Sequence, residues 1–118
     1  MRKTLMILFC MVGFAGQAIA HARLESAVPP VGATVSTPPK QIAITFSESV
    51  EPAFSSIEVT DAAGNRDDTG KPQVAADDRQ VLIVALQPLG PGAYKVVWHA
   101  VSVDTHKTQG SYSFTVAP

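Results

Sequence analysis

Residues 89–99 read LGPGAYKVVWH, a Pro/Gly turn followed by the longest strand pattern in the chain. Tyr94, Val96 and Trp98 fall on one face of that strand and His99 on the other, because side chains alternate across a β-strand. Tyr94 directly after the turn suits a tyrosine corner, in which the phenol bonds back to upstream backbone. A half-buried strand tyrosine without that bond fits the pattern equally well. Either way, the stretch predicts β-structure.

The same two-residue alternation recurs in short segments separated by Pro, Gly, Asp and Asn turns. No segment shows a sustained helical period, and turns at this spacing are typical of an all-β sandwich or barrel. We therefore predict an all-β fold of about seven strands, an Ig-like or cupredoxin-like Greek-key β-sandwich or barrel. Further alternating segments fall at residues 24–28, 42–46, 57–59 and 112–116. Residues 81–86 are apolar on both faces, as a central sandwich strand can be.

The first twenty residues have the pattern of a cleaved export signal. Arg2 and Lys3 precede an apolar stretch that is too short for a stable membrane span, and small alanines follow at the end. Signal peptidase requires small residues at these last positions, so we expect cleavage after Ala20. The chain is therefore predicted to consist of a signal peptide, residues 1–20, and one exported domain, residues 21–118.

The composition of that domain excludes some partners and some metal ligands. Residues 21–118 carry seven basic and ten acidic side chains, for a net charge of −3. This balance argues against a nucleic-acid partner, which would need a clustered basic face. Cys10 and all three methionines lie in the leader, so the mature domain has no sulfur. Any metal site in it must use nitrogen and oxygen donors.

His21 is the first candidate metal ligand. Cleavage after Ala20 would give it a free α-amine as well as an imidazole, and the amine nitrogen and Nδ1 can close a six-membered chelate ring. Nitrogen donors in tetragonal geometry favour Cu(II) over other divalent ions. The alternative is that a histidine simply stands where cleavage falls, since surface histidines are common.

Asp104-Thr105-His106 is the second candidate. In extended chain, residues two apart point to the same side, so the carboxylate and the imidazole can hold one metal ion between them. Asp104 can instead orient His106 by a hydrogen bond. A solvated loop between the last two strands suits the same residues. The two candidates reinforce each other only if the N-terminus lies near the last hairpin, which periodicity cannot show.

Other polar residues carry weaker signals. Glu48 stands at a strand end from which a carboxylate could reach the same site, although a solvated charge is the commoner interpretation. We expect His99 to be a partly exposed structural histidine, and the clusters Asp67-Asp68 and Asp77-Asp78 to be solvated loops. No hydrolase or phosphate-loop motif occurs in the chain, so the sequence favours a binding protein over an enzyme.

Five blocks of residues 21–118 carry a family resemblance. They are HARL at 21–24, PPVG at 29–32, ITFSE at 44–48, GAYKVVWHAVSVDTH at 92–106 and GSYSFTV at 110–116. In this order, directly after the leader, they resemble the CopC-type periplasmic copper-binding proteins over essentially all of residues 21–118. The resemblance implies a Greek-key β-barrel or sandwich that binds one Cu(II) through the amine and imidazole of His21, with Asp104 and His106. Glu48 matches an acidic family position near the site, which implies a weak axial or outer role.

The resemblance also implies that the N-terminus lies beside the last hairpin, and that the protein is a monomeric periplasmic Cu(II) carrier or buffer in copper homeostasis or resistance. An inner-membrane copper transporter is the expected partner. Some family members carry a methionine-rich Cu(I) site, but residues 21–118 contain no methionine, so we expect no Cu(I) site. Two alternatives remain open: a histidine-brace copper oxidase, and a metal-independent Ig-like interaction domain whose histidines are incidental.

Overall fold

The structure, a computed structural model, describes residues 21–118; the predicted leader lies outside the described residues. This range contains eight β-strands, one turn of 3-10 helix and no α-helix. None of its helical segments is long and apolar enough to cross a membrane. The elements are β1 (Leu24–Val28), β2 (Thr34–Val35), β3 (Gln41–Phe46), the 3-10 turn (Pro52–Phe54), β4 (Ser56–Asp61), β5 (Asp68–Ala75), β6 (Asp78–Leu86), β7 (Gly92–Val101) and β8 (Lys107–Val116).

The strands form two four-stranded sheets around one core. One sheet has the order β1-β3-β6-β5 and the other the order β2-β8-β7-β4. Neighbouring strands are antiparallel except for β2 and β8, which pair in parallel. Neighbours such as β3 and β6 are not consecutive in the chain, so the chain crosses between the sheets as Greek-key connections do. The prediction of an all-β Greek-key sandwich is confirmed.

Two of the eight strands are missing from the sequence prediction. β2 is only two residues long and gains its strand geometry from pairing with the end of β8. β5 contains Gly70 and Pro72, and its pairing with β6 shifts register twice. Glycine and proline are depleted in strands, and proline is tolerated mainly at sheet edges, which is where β5 lies. An edge strand of this composition shows no alternation to detect.

The hairpin of β7 and β8 supplies much of the core through a ladder of ten residue pairs. Trp98 points inward from β7 and meets Phe46 of the facing sheet edge-on, with ring centroids 5.1 Å apart. Its partner on β8 is Gly110, where an added Cβ would lie 2.6 Å from Trp98 Cζ2. The indole therefore fills space that any other side chain at position 110 would occupy.

The tyrosine-corner interpretation of Tyr94 is confirmed. Its phenol donates a hydrogen bond to the Gly90 carbonyl at 2.7 Å, and its ring stacks on Phe114 with centroids 5.4 Å apart. The chain has one other tyrosine, Tyr112, which is also buried. The Tyr112 phenol has no hydrogen-bond partner within residues 21–118, and burial raises its pKa.

The prediction that Asp68 lies in a solvated loop is wrong. Its side chain is only 4% exposed and stands at the start of β5. Asp68 Oδ1 accepts a hydrogen bond from the Val59 N–H of β4 at 2.9 Å, and the Arg66 guanidinium contacts both carboxylate oxygens at 2.7 Å. Since β4 and β5 are edges of different sheets, this carboxylate joins the two layers. Asp77, by contrast, lies in an exposed turn as expected.

The two tyrosines offer a matched test of the hydrogen-bond assignment. Tyr94→Phe should lower the free energy of unfolding by about 1 kcal/mol, because it removes a satisfied hydrogen bond. Tyr112→Phe should leave that free energy unchanged or raise it, because it removes a buried hydroxyl that has no partner. Urea unfolding followed by the fluorescence of Trp98 measures both. A greater loss for Tyr112→Phe than for Tyr94→Phe would contradict the assignment.

The Asp68 contact makes stability depend on pH. Burial alone would raise the pKa of Asp68, but the hydrogen bond and charge of Arg66 and the bond from Val59 lower it below its usual range. Stabilisation is then complete above the unfolded pKa of about 3.9 and is lost as pH falls through the lower folded pKa. Asp68→Asn should cost about 1 to 3 kcal/mol at neutral pH.

As pH falls through the lowered folded pKa of Asp68 and the wild-type carboxyl becomes protonated, the stability difference between Asp68→Asn and the wild type should shrink. Urea unfolding of both proteins at neutral and acid pH gives the comparison directly. A difference that stays constant over that range would show that the charge of Asp68 contributes nothing.

Candidate metal centre

The first described residues are fixed against the ends of two strands. Ser47, directly after β3, accepts the Arg23 N–H at 2.8 Å and donates its hydroxyl to the His21 carbonyl at 3.1 Å. From β8, the Thr108 hydroxyl donates to the Ala22 carbonyl at 2.8 Å. Ala22 itself is fully buried. Residues 21–23 therefore bridge the end of β3 and the start of β8, and this anchoring places the His21 side chain.

The His21 and His106 imidazoles lie side by side at this end of the sandwich. Their ring centroids are 5.0 Å apart, and the planes cross at 71°. His106 closes the loop between β7 and β8, so the described N-terminal residues do lie beside the last hairpin. The condition that sequence periodicity left open is met by the fold.

The loop between β7 and β8 is a tight turn. The Thr105 N–H bonds to the Ser102 carbonyl at 2.8 Å, and the Ser102 N–H bonds to the His106 carbonyl at 2.9 Å. Thr105 has φ of 72°, a left-handed conformation that is rare for a β-branched residue. Residues 104–106 therefore lie in a turn between the last two strands, which is the alternative to extended chain, and the same-side argument for extended chain does not apply. The turn nevertheless brings Asp104 Oδ1 within 3.1 Å of His106 Nδ1.

Ser102 organises this turn from beneath. It is fully buried, its hydroxyl donates to Asp104 Oδ1, and its Oγ accepts the His106 N–H at 3.2 Å. The hydrogen bond from Ser102 and the contact with His106 lower the pKa of Asp104 below its usual range, although partial desolvation opposes them. Ser102 is missing from the candidate residues predicted from the sequence. The signal that could have found it is its place in a short polar turn, two residues before Asp104.

The remaining two candidates are Glu48 and His99, whose surroundings differ from those of His21, Asp104 and His106. Glu48 is half-buried and follows Ser47, but its carboxylate makes no hydrogen bond or ion pair to other described residues. His99 lies on the outer face of the second sheet, with Nδ1 3.4 Å from Ser56 Oγ. The structure thus brings together His21, Asp104 and His106, and leaves His99 on a separate surface.

The side chains at this end of the sandwich do not by themselves form a complete metal site. Residues 21–118 contain no group of three or more His, Cys, Asp or Glu side chains placed to hold a metal ion. Two imidazoles on one ion, with bonds of about 2 Å, have centroids on the order of 4 to 6 Å apart. The 5.0 Å spacing of His21 and His106 fits that range. An α-amine on a processed His21 would add a nitrogen donor that is not a side chain.

Fold and site together define a small β-sandwich domain that gathers its first residues and its last hairpin at one end. A family model described as the CopC domain matches residues 24–117. The chain belongs to the CopC family, whose curated members include copper resistance and copper transport proteins. Family resemblance and fold are both as the sequence predicted.

Three curated relatives illustrate the family. Protein YobA of Escherichia coli K12 is 42% identical over 98 residues, covering 82% of this chain and 79% of YobA. Copper resistance protein C of Escherichia coli is 37% identical over 113 residues, or 90% of this chain and 89% of the relative. Copper transport protein CutJ of Bacillus subtilis is 30% identical over 98% of this chain, which matches 21% of CutJ.

A solved structure agrees with the fold. The crystal structure of CopC from Methylosinus trichosporium OB3b superposes with a TM-score of 0.77 at 34% sequence identity. The match covers 83% of this chain and 95% of that one.

The role of Ser102 can be tested without metal. Ser102→Ala should raise the pKa of Asp104 toward its usual range, because the variant lacks the hydroxyl that stabilises the carboxylate. Carbon-13 NMR titration of the Asp104 carboxyl measures the shift. Ser55 is the matched control, since it is also a buried serine and its Oγ bonds the Glu51 carbonyl and the Val101 N–H.

Ser55→Ala should therefore lose comparable stability while leaving the Asp104 titration where it was. If Asp104 titrates alike in the wild type and in Ser102→Ala, the serine does not control the carboxylate.

Proposed function

We propose that the processed protein is a periplasmic Cu(II)-binding protein that carries or buffers one copper ion in copper homeostasis or resistance. The observation that carries the proposal is the 5.0 Å approach of the His21 and His106 rings, which come from opposite ends of the domain sequence. Membership in a family with copper resistance and copper transport proteins supports copper as the ligand.

The donor set suits Cu(II). After cleavage following Ala20, the amine and Nδ1 of His21 would chelate the ion, His106 would add a second imidazole, and Asp104 a carboxylate oxygen. A free α-amine has a pKa of about 8, so the metal displaces a single proton near neutral pH. Residues 21–118 contain no methionine or cysteine and so offer no soft donor for Cu(I). Glu48 is proposed only as a weak axial or outer group.

Binding without catalysis suits the same residues. A histidine-brace oxidase needs an open position for oxygen at the metal, whereas here Asp104 is held beside His106 by Ser102. Such enzymes on glycans also need a broad aromatic surface, and Phe54 is the one strongly exposed large aromatic side chain in residues 21–118. A metal-independent interaction domain gains no support from membership in a copper-resistance family.

A membrane copper transporter is the proposed recipient or donor of the ion. Nearly the whole of this chain matches about a fifth of the copper transport protein CutJ, so in that relative a domain of this kind is part of a longer transport protein. We propose that this domain acts as a monomer in the periplasm and exchanges its copper with an inner-membrane transporter.

The proposal predicts that copper binding depends on a free amine at His21. Cu(II) added to processed 21–118 should give one tight, nitrogen-rich tetragonal electron paramagnetic resonance spectrum. One extra methionine before His21 should abolish that spectrum, because it moves the amine away from the imidazole. His21→Ala and His106→Ala should each weaken binding on the order of 100-fold or more, since even loss of an outer partner costs about 10- to 100-fold.

His99→Ala is the matched control, because it removes the third histidine from a separate surface. It should leave both spectrum and affinity unchanged. If the extended protein binds Cu(II) as the processed one does, or if His99→Ala is the variant that loses the metal, the proposed site is wrong.

A further inference from the structure

The end of the sandwich that holds His21 and His106 is termed the metal end. The 3-10 turn at this end carries an aromatic side chain, Phe54, that the fold leaves in solvent. Phe54 is 72% exposed, the highest value among the large apolar residues described as exposed. The backbone of the turn is held in place, because the Phe54 N–H bonds to the Glu51 carbonyl at 3.1 Å. Ser55 Oγ further ties the turn to β7, donating to the Glu51 carbonyl and accepting the Val101 N–H. An exposed aromatic side chain on a backbone anchored in this way can serve as the anchor of an interface.

Phe54 forms one wall of a cleft of about 300 Å³ on the outer face of the second sheet. Lys107 supplies its positive charge, while His99, Thr108 and Gln109 supply polar groups. No acidic residue lines it. Lys107 is exposed and makes no ion pair within the described part of the chain. The cleft therefore offers an apolar wall beside an uncompensated positive charge, in a domain whose net charge is −3.

The position of the cleft relates it to the candidate metal centre. Lys107 directly follows His106 in the chain and is the first residue of β8. Val103, in the same β7–β8 loop, is a second exposed apolar residue at this end. A molecule seated in the cleft would therefore lie one residue away from a proposed copper ligand.

We infer that Phe54, His99 and Lys107 form a docking face for an acidic segment with an apolar side chain, presented by a copper-exchanging protein. Its apolar side chain would pack on Phe54 and its carboxylates would face Lys107. The partner's identity as a copper protein rests on the proposed function, whereas the acidic and apolar chemistry rests on the cleft alone. Docking here would bring the partner's own metal site beside His106 without using any copper ligand of this chain.

Two synthetic peptides test the face on metal-free processed 21–118. They are acetyl-Asp-Leu-Asp-Phe-Asp-amide and its charge-reversed counterpart acetyl-Lys-Leu-Lys-Phe-Lys-amide. In nitrogen-15 NMR titrations, the acidic peptide should shift the amides of Phe54, His99 and Lys107, and the basic peptide should not. Phe54→Ser and Lys107→Glu should each weaken the acidic peptide by about 10-fold or more, as loss of an interface anchor does.

The matched controls are Val28→Ser and Lys71→Glu. Val28 is 66% exposed on β1, and Lys71 is an exposed cation on β5, so both changes repeat the chemistry on the other sheet. Both controls should bind the acidic peptide as the wild type does. Equal shifts with both peptides, or equal losses in the controls, would overturn the docking face.

Sedimentation and copper spectra distinguish the docking face from a self-association surface and from the metal centre. If the protein self-associates and Phe54→Ser abolishes this, the face is covered by a second copy and the proposal fails. Phe54→Ser and Lys107→Glu should keep the wild-type Cu(II) spectrum. A variant that loses peptide binding but keeps the Cu(II) spectrum shows that the docking face and the copper site are independent. Conversely, an unaltered copper affinity in His21→Ala would contradict the proposed copper site without affecting the peptide result.

Discussion

The pairing of Trp98 with Gly110 sets the register of the β7–β8 hairpin, on which both the core and the metal end depend. A slip of one residue would turn every inward side chain of the hairpin to solvent. The indole needs the space that glycine leaves, and it then packs against Phe46 of the facing sheet. With no disulfide available in residues 21–118, this packing has to hold the layers together, assisted at one edge by the Asp68 carboxylate.

Register in the hairpin is also what builds the candidate centre. It places Thr108 where its hydroxyl can hold the Ala22 carbonyl, and it ends the ladder at Lys107, which leaves His106 in the turn. Ser47 completes the clamp on the N-terminal residues from the facing sheet. The two imidazoles therefore meet through three main-chain contacts made by small hydroxyl side chains, and none of these hydroxyls is a candidate ligand.

The sequence predicts what repeats along the chain and misses what depends on distant pairing. Alternation locates five of the strands, a continuous apolar run locates β6, and a turn before Tyr94 indicates its corner, because all three are local patterns. β5 and the burial of Asp68 are missed since an edge strand with glycine and proline takes its geometry from neighbours remote in sequence. The nearness of His21 to His106 comes from family resemblance, because no local pattern encodes the hydroxyl contacts of Ser47 and Thr108. Ser102 is missed for the same reason.

Exposure to solvent distinguishes the candidate metal centre from an apolar cavity at the other end of the sandwich. At the opposite end, a cavity of about 530 Å³ between residues 37–40 and 86–89 is mostly apolar and offers no histidine or carboxylate. At the metal end, the side chains of His106 and Asp104 are 45% and 47% exposed. Donors on a rim are less shielded from water and from competing ligands than donors in a cavity. Under the proposed function, a half-exposed donor set on a packed core would let a second protein approach the ion directly, which a carrier requires and a storage cage would prevent.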